Sequence, residues 1–369
     1  MKKIGLILVV ATLVLAGCST ENADYGKVTK VTDYLYEVSY NTLDYSVFDD
    51  TTTVKNEACC SSVRNGAFHG RNLDLYYNEA CEAVVHVSAA EGRFASVAVC
   101  GAMPRCTDEL LENGDSALMR VLPFIVIDGI NENGVATNVN VVPAADHPIA
   151  TGTKPGARRM NMAKCQRYIL DNAKSAAHAV ELLQELDLYG GFGDEFGLHL
   201  MISDPKETYI VEIIDNEIQY VKGERENDAN IMTNLYSTQL PDLTPHAEGI
   251  ERYELLKANY AEGNTEEGMV NLMRRAQYTQ AYNPETNPFW YSEFYGVFNR
   301  ADGSVWDVNV NTPREEVMES AKASIEACKK HERTGGFWQT VNTSVYNLDE
   351  KTLLLYVQED YTKPYRFGL

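Results

Sequence analysis

Positive charge is scarce in this sequence: 32 Lys and Arg stand against 53 Asp and Glu, a formal net charge of −21. No basic stripe is present to meet phosphates, which excludes a nucleic-acid partner. The eight cysteines form no CxxC pair and no dense scaffold, so a zinc site has no basis. Nothing singles out the His and Asn that a papain-type cysteine site requires. Beyond residue 60 there is no internal repeat, low-complexity tract or interdomain linker.

What is present begins with an export signal. Met1-Lys2-Lys3 is basic, Ile4 to Leu15 is apolar, and small residues follow at Ala16-Gly17. The apolar run is too short to span a membrane comfortably. Leu15-Ala16-Gly17-Cys18 resembles the bacterial lipobox. That resemblance implies cleavage before Cys18, a lipid on its thiol, and a protein held at a membrane of the cell envelope without a spanning helix. The expected organisation is a signal peptide over 1–17, a linker or loosely docked prosegment over 18–59, and one domain over 60–369.

From Cys60 the texture is that of strands. The runs around "AVVHVSAAEGRFASVAVC" and "MRVLPFIVIDGINENGVATNVNVV" are β-rich and broken by Glu91-Gly92 and Asn131 to Gly134. Helical spacing follows in "ARRMNMAKCQRYILDNA" and "SAAHAVELLQEL", and again in "GIERYELLKANYA", "EEGMVNLMRRA" and "TPREEVMESAKASIEACKK". Strands return in "GLHLMISDPKETYIVEIIDNEIQYV" and in a last hairpin, "TSVYNLDEKTLLLYVQ". The order predicts a layered α+β fold.

Asn65-Gly66 is a hairpin signal, because both residue types tolerate positive φ. With these two at the turn centre, Cys60 faces Arg71, Ser62 faces His69 and Arg64 faces Ala67. A fixed guanidinium beside Cys60 favours the thiolate.

"CSSV" followed by "GRNLD" resembles the start of the choloylglycine hydrolase family of N-terminal nucleophile enzymes. "DGINENGVATNVNVVP", "LHLMISDPKETYIVE", "MTNLY" and "GIERYELL" are similar to its later motifs and stand in the same order, from Cys60 to about Leu256. The resemblance implies a four-layer α-β-β-α sandwich and a precursor that cuts its own Cys59–Cys60 bond. The freed α-amine then serves as base for the Cys60 thiol. It also implies roles for other residues. Arg71 holds the thiolate or substrate by charge, and Asp74 orients the new ammonium. Asn140 and Asn234 are the candidate oxyanion donors, with Asn138 on the same strand face as Asn140. Arg252 reaches back from a helix. Residues 71 and 74 point to opposite faces of a regular strand, so joint service at one site demands a bend or bulge after Asn72.

The implied activity is hydrolysis of a linear, non-peptide C–N amide through an acyl-thioester on Cys60, with no metal or organic cofactor. The expected partners are a small-molecule amide substrate and, through Cys18, a membrane; a homo-oligomer is left open. Two alternatives stay beside it: acyl transfer to an amine by the same nucleophile, and a non-catalytic ligand-binding surface lipoprotein.

Overall fold

The computed structural model describes residues 28–47, 59–76, 80–104, 116–143, 154–189, 196–214, 217–223, 230–238, 249–277, 296–299, 305–308 and 338–369. The signal peptide, Cys18, Cys106, the aromatic run from Trp290 to Tyr295 and the helix expected over 312–330 lie outside the described residues.

In chain order the elements begin with strands Thr29–Thr32 (β1), Leu35–Tyr40 (β2), Cys59–Asn65 (β3), Phe68–Tyr76 (β4), Ala80–Val87 (β5) and Ser96–Pro104 (β6). Helix Ser116–Val121 (α1) leads to strands Val126–Asn131 (β7), Ala136–Pro143 (β8) and Arg158–Asn161 (β9), then helices Cys165–Asn172 (α2) and Ala176–Gln184 (α3). Strands Leu186–Tyr189 (β10), Phe196–Ser203 (β11), Thr208–Ile214 (β12), Glu217–Gly223 (β13) and Ile231–Met232 (β14) precede helices Ile250–Ala258 (α4) and Glu266–Arg275 (α5). Strands Gly296–Asn299 (β15), Val305–Val308 (β16), Trp338–Asn347 (β17), Thr352–Val357 (β18) and Tyr365–Gly368 (β19) complete the described chain.

Two large sheets dominate. One has nine strands in the order β1-β2-β5-β6-β7-β8-β11-β12-β13, the other six in the order β14-β3-β4-β17-β18-β19. Strand alternation gives each sheet two buried faces. Between the sheets, Leu35, Val84, Val97, Ile130 and Ala136 of the first meet Tyr346, Leu353 and Leu355 of the second. On the outer face of the first sheet, Ile169, Ala179 and Leu183 of α2 and α3 pack with Leu198, Leu200 and Val211. On the outer face of the second, Leu256, Met269 and Met273 of α4 and α5 pack with Val63, Val345 and Leu354. The architecture is therefore the expected α-β-β-α sandwich. At Gly70 an added Cβ would collide with Met269 and Met273, so the missing side chain sets how closely α5 lies on β4.

Four expectations need correction. The hairpin turn is Gly66-Ala67, with Asn65 paired to Phe68 in the ladder. Gly66 has φ +60 while Ala67 is not in the positive region, so glycine sits at the first central position, the arrangement of a II′ turn. Asn65 is instead drawn to the strand end, where its amide donates to the Tyr260 carbonyl at 2.6 Å. Second, residues 119–124 are helical, because Pro123 opens a short 3-10 turn after α1. Third, Arg158–Asn161 is a strand, paired in parallel with β10, and the helix starts only at Cys165. Fourth, part of the expected linker is sheet: β2 pairs in parallel with β5 from Leu35↔Glu82 to Tyr40↔Val87.

Candidate active site

The site forms where β3 and β4 cross the end of β8. Cys60, Ser62 and Arg64 of β3 share the inter-sheet face with His69, Arg71 and Leu73 of β4. The shifted turn places Cys60 opposite Leu73 and Ser62 opposite Arg71. Arg71 is thus diagonal to Cys60 on one face, within reach of a long side chain. Its Nη2 donates to Cys60 Sγ at 3.2 Å and to the Val139 carbonyl at 3.2 Å, and its Nη1 to Asp128 at 2.9 Å. Tyr346 donates its hydroxyl to the other Asp128 oxygen.

Burial is nearly complete, with Cys60 at 1% exposure and Asp128 at 0%. Burial pushes the Cys60 thiol up, and Arg71 pulls against it without prevailing. The thiolate expected from a neighbouring cation is therefore opposed by burial, and Asp128 takes a share of that cation. Arg71 is held more firmly charged, because Cys60 and Asp128 outweigh the cost of its burial.

Asp74 lies on the opposite face of β4, toward the helices. The bend or bulge expected after Asn72 is absent: β3 and β4 stay in regular register, so Arg71 and Asp74 keep to opposite faces, and the register shift opposite Asp74 and Leu73 lies in β17, between Thr340 and Asn342. Asp74 accepts from Thr340 Oγ1 at 2.6 Å and pairs with Arg252 Nη1 at 3.5 Å. The backbone of Cys60 joins the two faces. Its carbonyl accepts from Arg252 Nη1 at 2.5 Å, and its N–H donates to Asn234 Oδ1 at 3.0 Å. Arg252 Nη2 also donates to Asn234 Oδ1 at 2.6 Å, and Asn234 Nδ2 donates to the Val141 carbonyl at 2.7 Å. Asn234 therefore presents an acceptor to the Cys60 nitrogen. The oxyanion-donor orientation expected of it is not the one adopted, because the Arg252 guanidinium fixes which end of the amide faces inward.

Gly249 explains how α4 delivers Arg252. It precedes the helix with φ +80, and a Cβ there would press on Thr233 and on Asn234 N at 3.0 Å. The first turn of α4 thus lies directly on the segment that carries Asn234.

Asn140 is tied into the wall of the site. Its Nδ2 points to the carbonyls of Met232 at 3.3 Å and Thr233 at 3.5 Å, while its Oδ1 accepts from Asn138 at 3.1 Å and Ser62 at 3.5 Å. Asn138 also donates to Ser62 at 2.8 Å and accepts from His69 Nε2 at 2.8 Å, leaving His69 Nδ1 to accept from the Ser203 hydroxyl at 3.0 Å. Burial lowers the His69 pKa to about 4, so it is neutral near pH 7. His69 is a packed link in a buried relay rather than a base.

The sequence reading missed three groups. Asp128 shares Arg71, as above. Glu82 is buried beneath it, takes a hydrogen bond from Asn342 at 2.5 Å, and is raised by burial to about 8. His199 and Glu212, register partners on β11 and β12, staple the Asn234 segment at both ends. His199 Nε2 donates to the Thr233 carbonyl at 2.7 Å. Glu212 accepts from Ser237 N at 2.5 Å and from Thr238 N and Oγ1 at 3.2 and 2.5 Å. Asp128, His199 and Glu212 all stand within motifs already singled out; their charge at positions that strand alternation buries was the available signal.

The pattern of the family described as acyl-coenzyme A:6-aminopenicillanic acid acyl-transferase matches residues 123–287. The matched stretch covers less than half of the chain and takes in four of the motifs that resemble the choloylglycine hydrolase family. The match covers Asp128, Asn140, His199, Glu212, Asn234 and Arg252, and stops short of Cys60, Arg71 and Asp74. Solved structures that align with this chain include a mutant conjugated bile acid hydrolase from Clostridium perfringens, at 13% identity over 84% of this chain and 92% of that chain, TM-score 0.42. Penicillin V acylase from Agrobacterium tumefaciens aligns at 16% identity over 84% of this chain and 85% of that chain, TM-score 0.41. No curated protein matches the chain.

Proposed function

We propose that this protein is a self-processing cysteine amidohydrolase whose nucleophile is Cys60, acting on a linear, non-peptide C–N amide such as an N-acyl amide, a bile-salt conjugate or penicillin V. The observation that carries this reading is the placement of Cys60 itself. Its thiol meets Arg71 on one side of the sheet, while its backbone N–H meets Asn234, and Arg252 and Asp74 stand beyond it. A side-chain thiol needs only one of these environments. A residue that uses both its sulfur and its nitrogen needs both.

In the precursor, Cys60 Sγ attacks the Cys59 carbonyl, the C–N bond breaks as the thiol proton passes to the Cys60 nitrogen, and hydrolysis of the resulting thioester frees the Cys59 carboxylate and leaves Cys60 with its thiol and a free α-amine. In turnover, the amine takes the thiol proton as Sγ attacks the substrate carbonyl, and the same proton passes to the departing amine. Water then cleaves the thioester and restores the thiol. An α-amine ordinarily titrates at about 7.7–8.0, so part of it is neutral at pH 7. Asn234 Oδ1 accepts from the amine, and Asp74 balances the charge of Arg252 beside it.

The name of the matching family favours a second reading, acyl transfer from the same thioester to an amine in place of water. The test uses wild type and Cys60→Ala with a panel of amides, with and without amine acceptors, alongside sequencing of the N-terminus. Hydrolysis by a chain beginning at Cys60, lost in Cys60→Ala, supports the proposal. New N-acylated products in the presence of acceptors favour the transferase. Equal activity in both proteins refutes the nucleophile.

A further inference from the structure

The layer between the two sheets places one cation and two acids beside the Cys60 thiol. Arg71, Asp128 and Glu82 are each at most 1% exposed. Glu82 enters this layer from β5 with Val84, while Cys81 and Ala83 face the opposite cluster. Fully ionised, the three groups would leave a net negative charge in an apolar layer. Two carboxylates would then compete with the sulfur for one guanidinium.

The two acids differ in their partners. Asp128 accepts on both oxygens, from Arg71 Nη1 at 2.9 Å and from the Tyr346 hydroxyl. Glu82 accepts on one, from Asn342 Nδ2 at 2.5 Å. Its Oε2 is buried with no hydrogen-bond partner among the described residues, and so is Oδ1 of the same Asn342. A carboxylate oxygen and an amide oxygen are both acceptors, and neither satisfies the other. A carboxylic acid also donates, so a proton on Oε2 supplies what Asn342 Oδ1 lacks.

We propose that Glu82 stands in the working enzyme as the neutral acid, its Oε2 proton donated to Asn342 Oδ1, and that it thereby leaves the Arg71 charge to Asp128 and the Cys60 thiol. Glu82 is then a positioning residue, which acts on the sulfur only through Arg71. Its effect on Cys60 rests on the self-processing read above; its protonation does not.

The surroundings of Glu82 bear on the sign. Its register partner on β2 is Leu35, and β6 adds Val97 and Val99 to the same layer. The charged groups that face it are Arg71 from β4 and Asp128 from β7, and β17 brings the Asn342 amide. Burial raises the carboxyl to about 8; the Asn342 bond and Arg71 oppose that rise, and Asp128 adds to it. Below this value Arg71 answers one carboxylate. Above it a second negative charge appears beside Arg71, weakens its hold on the thiolate and raises the thiol further.

Two measurements on wild type and Glu82→Gln test this. The substitution keeps a donor for Asn342 Oδ1 and cannot ionise. Infrared difference spectra at pH 6 should show the carbonyl band of a protonated carboxyl in wild type that Glu82→Gln lacks. That band should fade from wild type as pH is raised to 10. Identical spectra in that region overturn the neutral acid. Cutting of the Cys59–Cys60 bond is timed by denaturing mass. The two proteins should be cut at equal rates at pH 6, and at pH 9 Glu82→Gln should be about threefold faster, which is about half a pKa unit in the thiol. A rate ratio that is the same at both pH values overturns the action on Cys60, because a purely structural carboxyl shifts both alike. If neither protein is cut, self-processing fails and the action on Cys60 with it, while the infrared band still decides the state of Glu82.

Discussion

Arg71 has two partners that compete for it, and separating them tests the chemistry of the site. One guanidinium nitrogen is 3.2 Å from Cys60 Sγ and another 2.9 Å from Asp128. At an effective dielectric of about 20, a cation at that distance from a thiolate is worth about 5 kcal/mol. Asp128 opposes the same thiolate, so a net effect near half of this, about 2–3 kcal/mol, is the reasonable expectation; that is about two pKa units. Arg71→Met should therefore slow cleavage of the Cys59–Cys60 bond about 100-fold. It should also destabilise the fold, because Asp128 is left buried without its partner, a loss of about 3–5 kcal/mol. The double variant Arg71→Met/Asp128→Asn removes the orphaned charge and keeps an acceptor for the Tyr346 hydroxyl. Processing is followed by denaturing mass against time, and stability by urea midpoints. The double variant should regain more than half the lost stability and remain slow to process. Recovery of both together would show that Arg71 acts through packing alone, and the electrostatic argument would fail.

Glu82→Gln should change how stability depends on pH. The folded pKa of Glu82, about 8, lies above its ordinary value of 4.5, so its contribution is present below pH 4.5 and is lost as pH rises toward 8. Urea midpoints should therefore show the variant gaining more at pH 8 than at pH 5. Glu212→Gln exchanges one acceptor oxygen for a donor facing Ser237 N or Thr238, which loosens the Asn234 segment; kcat should fall about 10–100-fold, with KM changed less than about threefold. An unchanged kcat at full stability would show that the staple does not position Asn234. Gly134→Ala strains a residue at φ +78 and drives a Cβ onto the Leu348 carbonyl, so its melting midpoint should fall further than that of Gly66→Ala, where φ is +60 but the surroundings are open.

Much of this site was legible because its motifs are local. "CSSV", "GRNLD", "MTNLY" and "GIERYELL" name the residues that meet around Cys60, and alternation along β3 and β4 separates the thiol face from the helix face. Register was less legible. Asn65-Gly66 and Gly66-Ala67 both make two-residue turns, and Asn65 is drawn into the ladder by the Tyr260 carbonyl, which lies outside the hairpin. The expected bend in β4 proved unnecessary, because the Cys60 backbone itself reaches the face that carries Asp74, Asn234 and Arg252. The role of Glu212 was hidden for a similar reason: an alternating apolar strand gives no sign that one buried carboxylate faces Ser237 and Thr238. Within the expected linker or loosely docked prosegment, Leu35 is buried against the second sheet and Tyr36, Val38 and Tyr40 in the cluster with β5.

On the proposed reading, burial of the thiol and the timing of activation follow from one arrangement. The uncut chain keeps Cys60 in a dry layer, where Arg71 is shared with Asp128 and burial holds the proton on sulfur. Its backbone nitrogen is an amide, which has no lone pair available to take that proton. The nearby ionisable histidine of the layer, His69, is committed to Ser203 and Asn138 and titrates far below neutrality. Arg71 is what favours the thiolate for the single cut, and the base for repeated turnover is the α-amine, which comes into being only when the chain is cut. A single bond break therefore creates the group that activates the nucleophile for turnover. Because the pairing of β2 with β5 uses neither Cys59 nor Cys60, the nine-stranded sheet that carries Asp128 need not rearrange when that bond breaks.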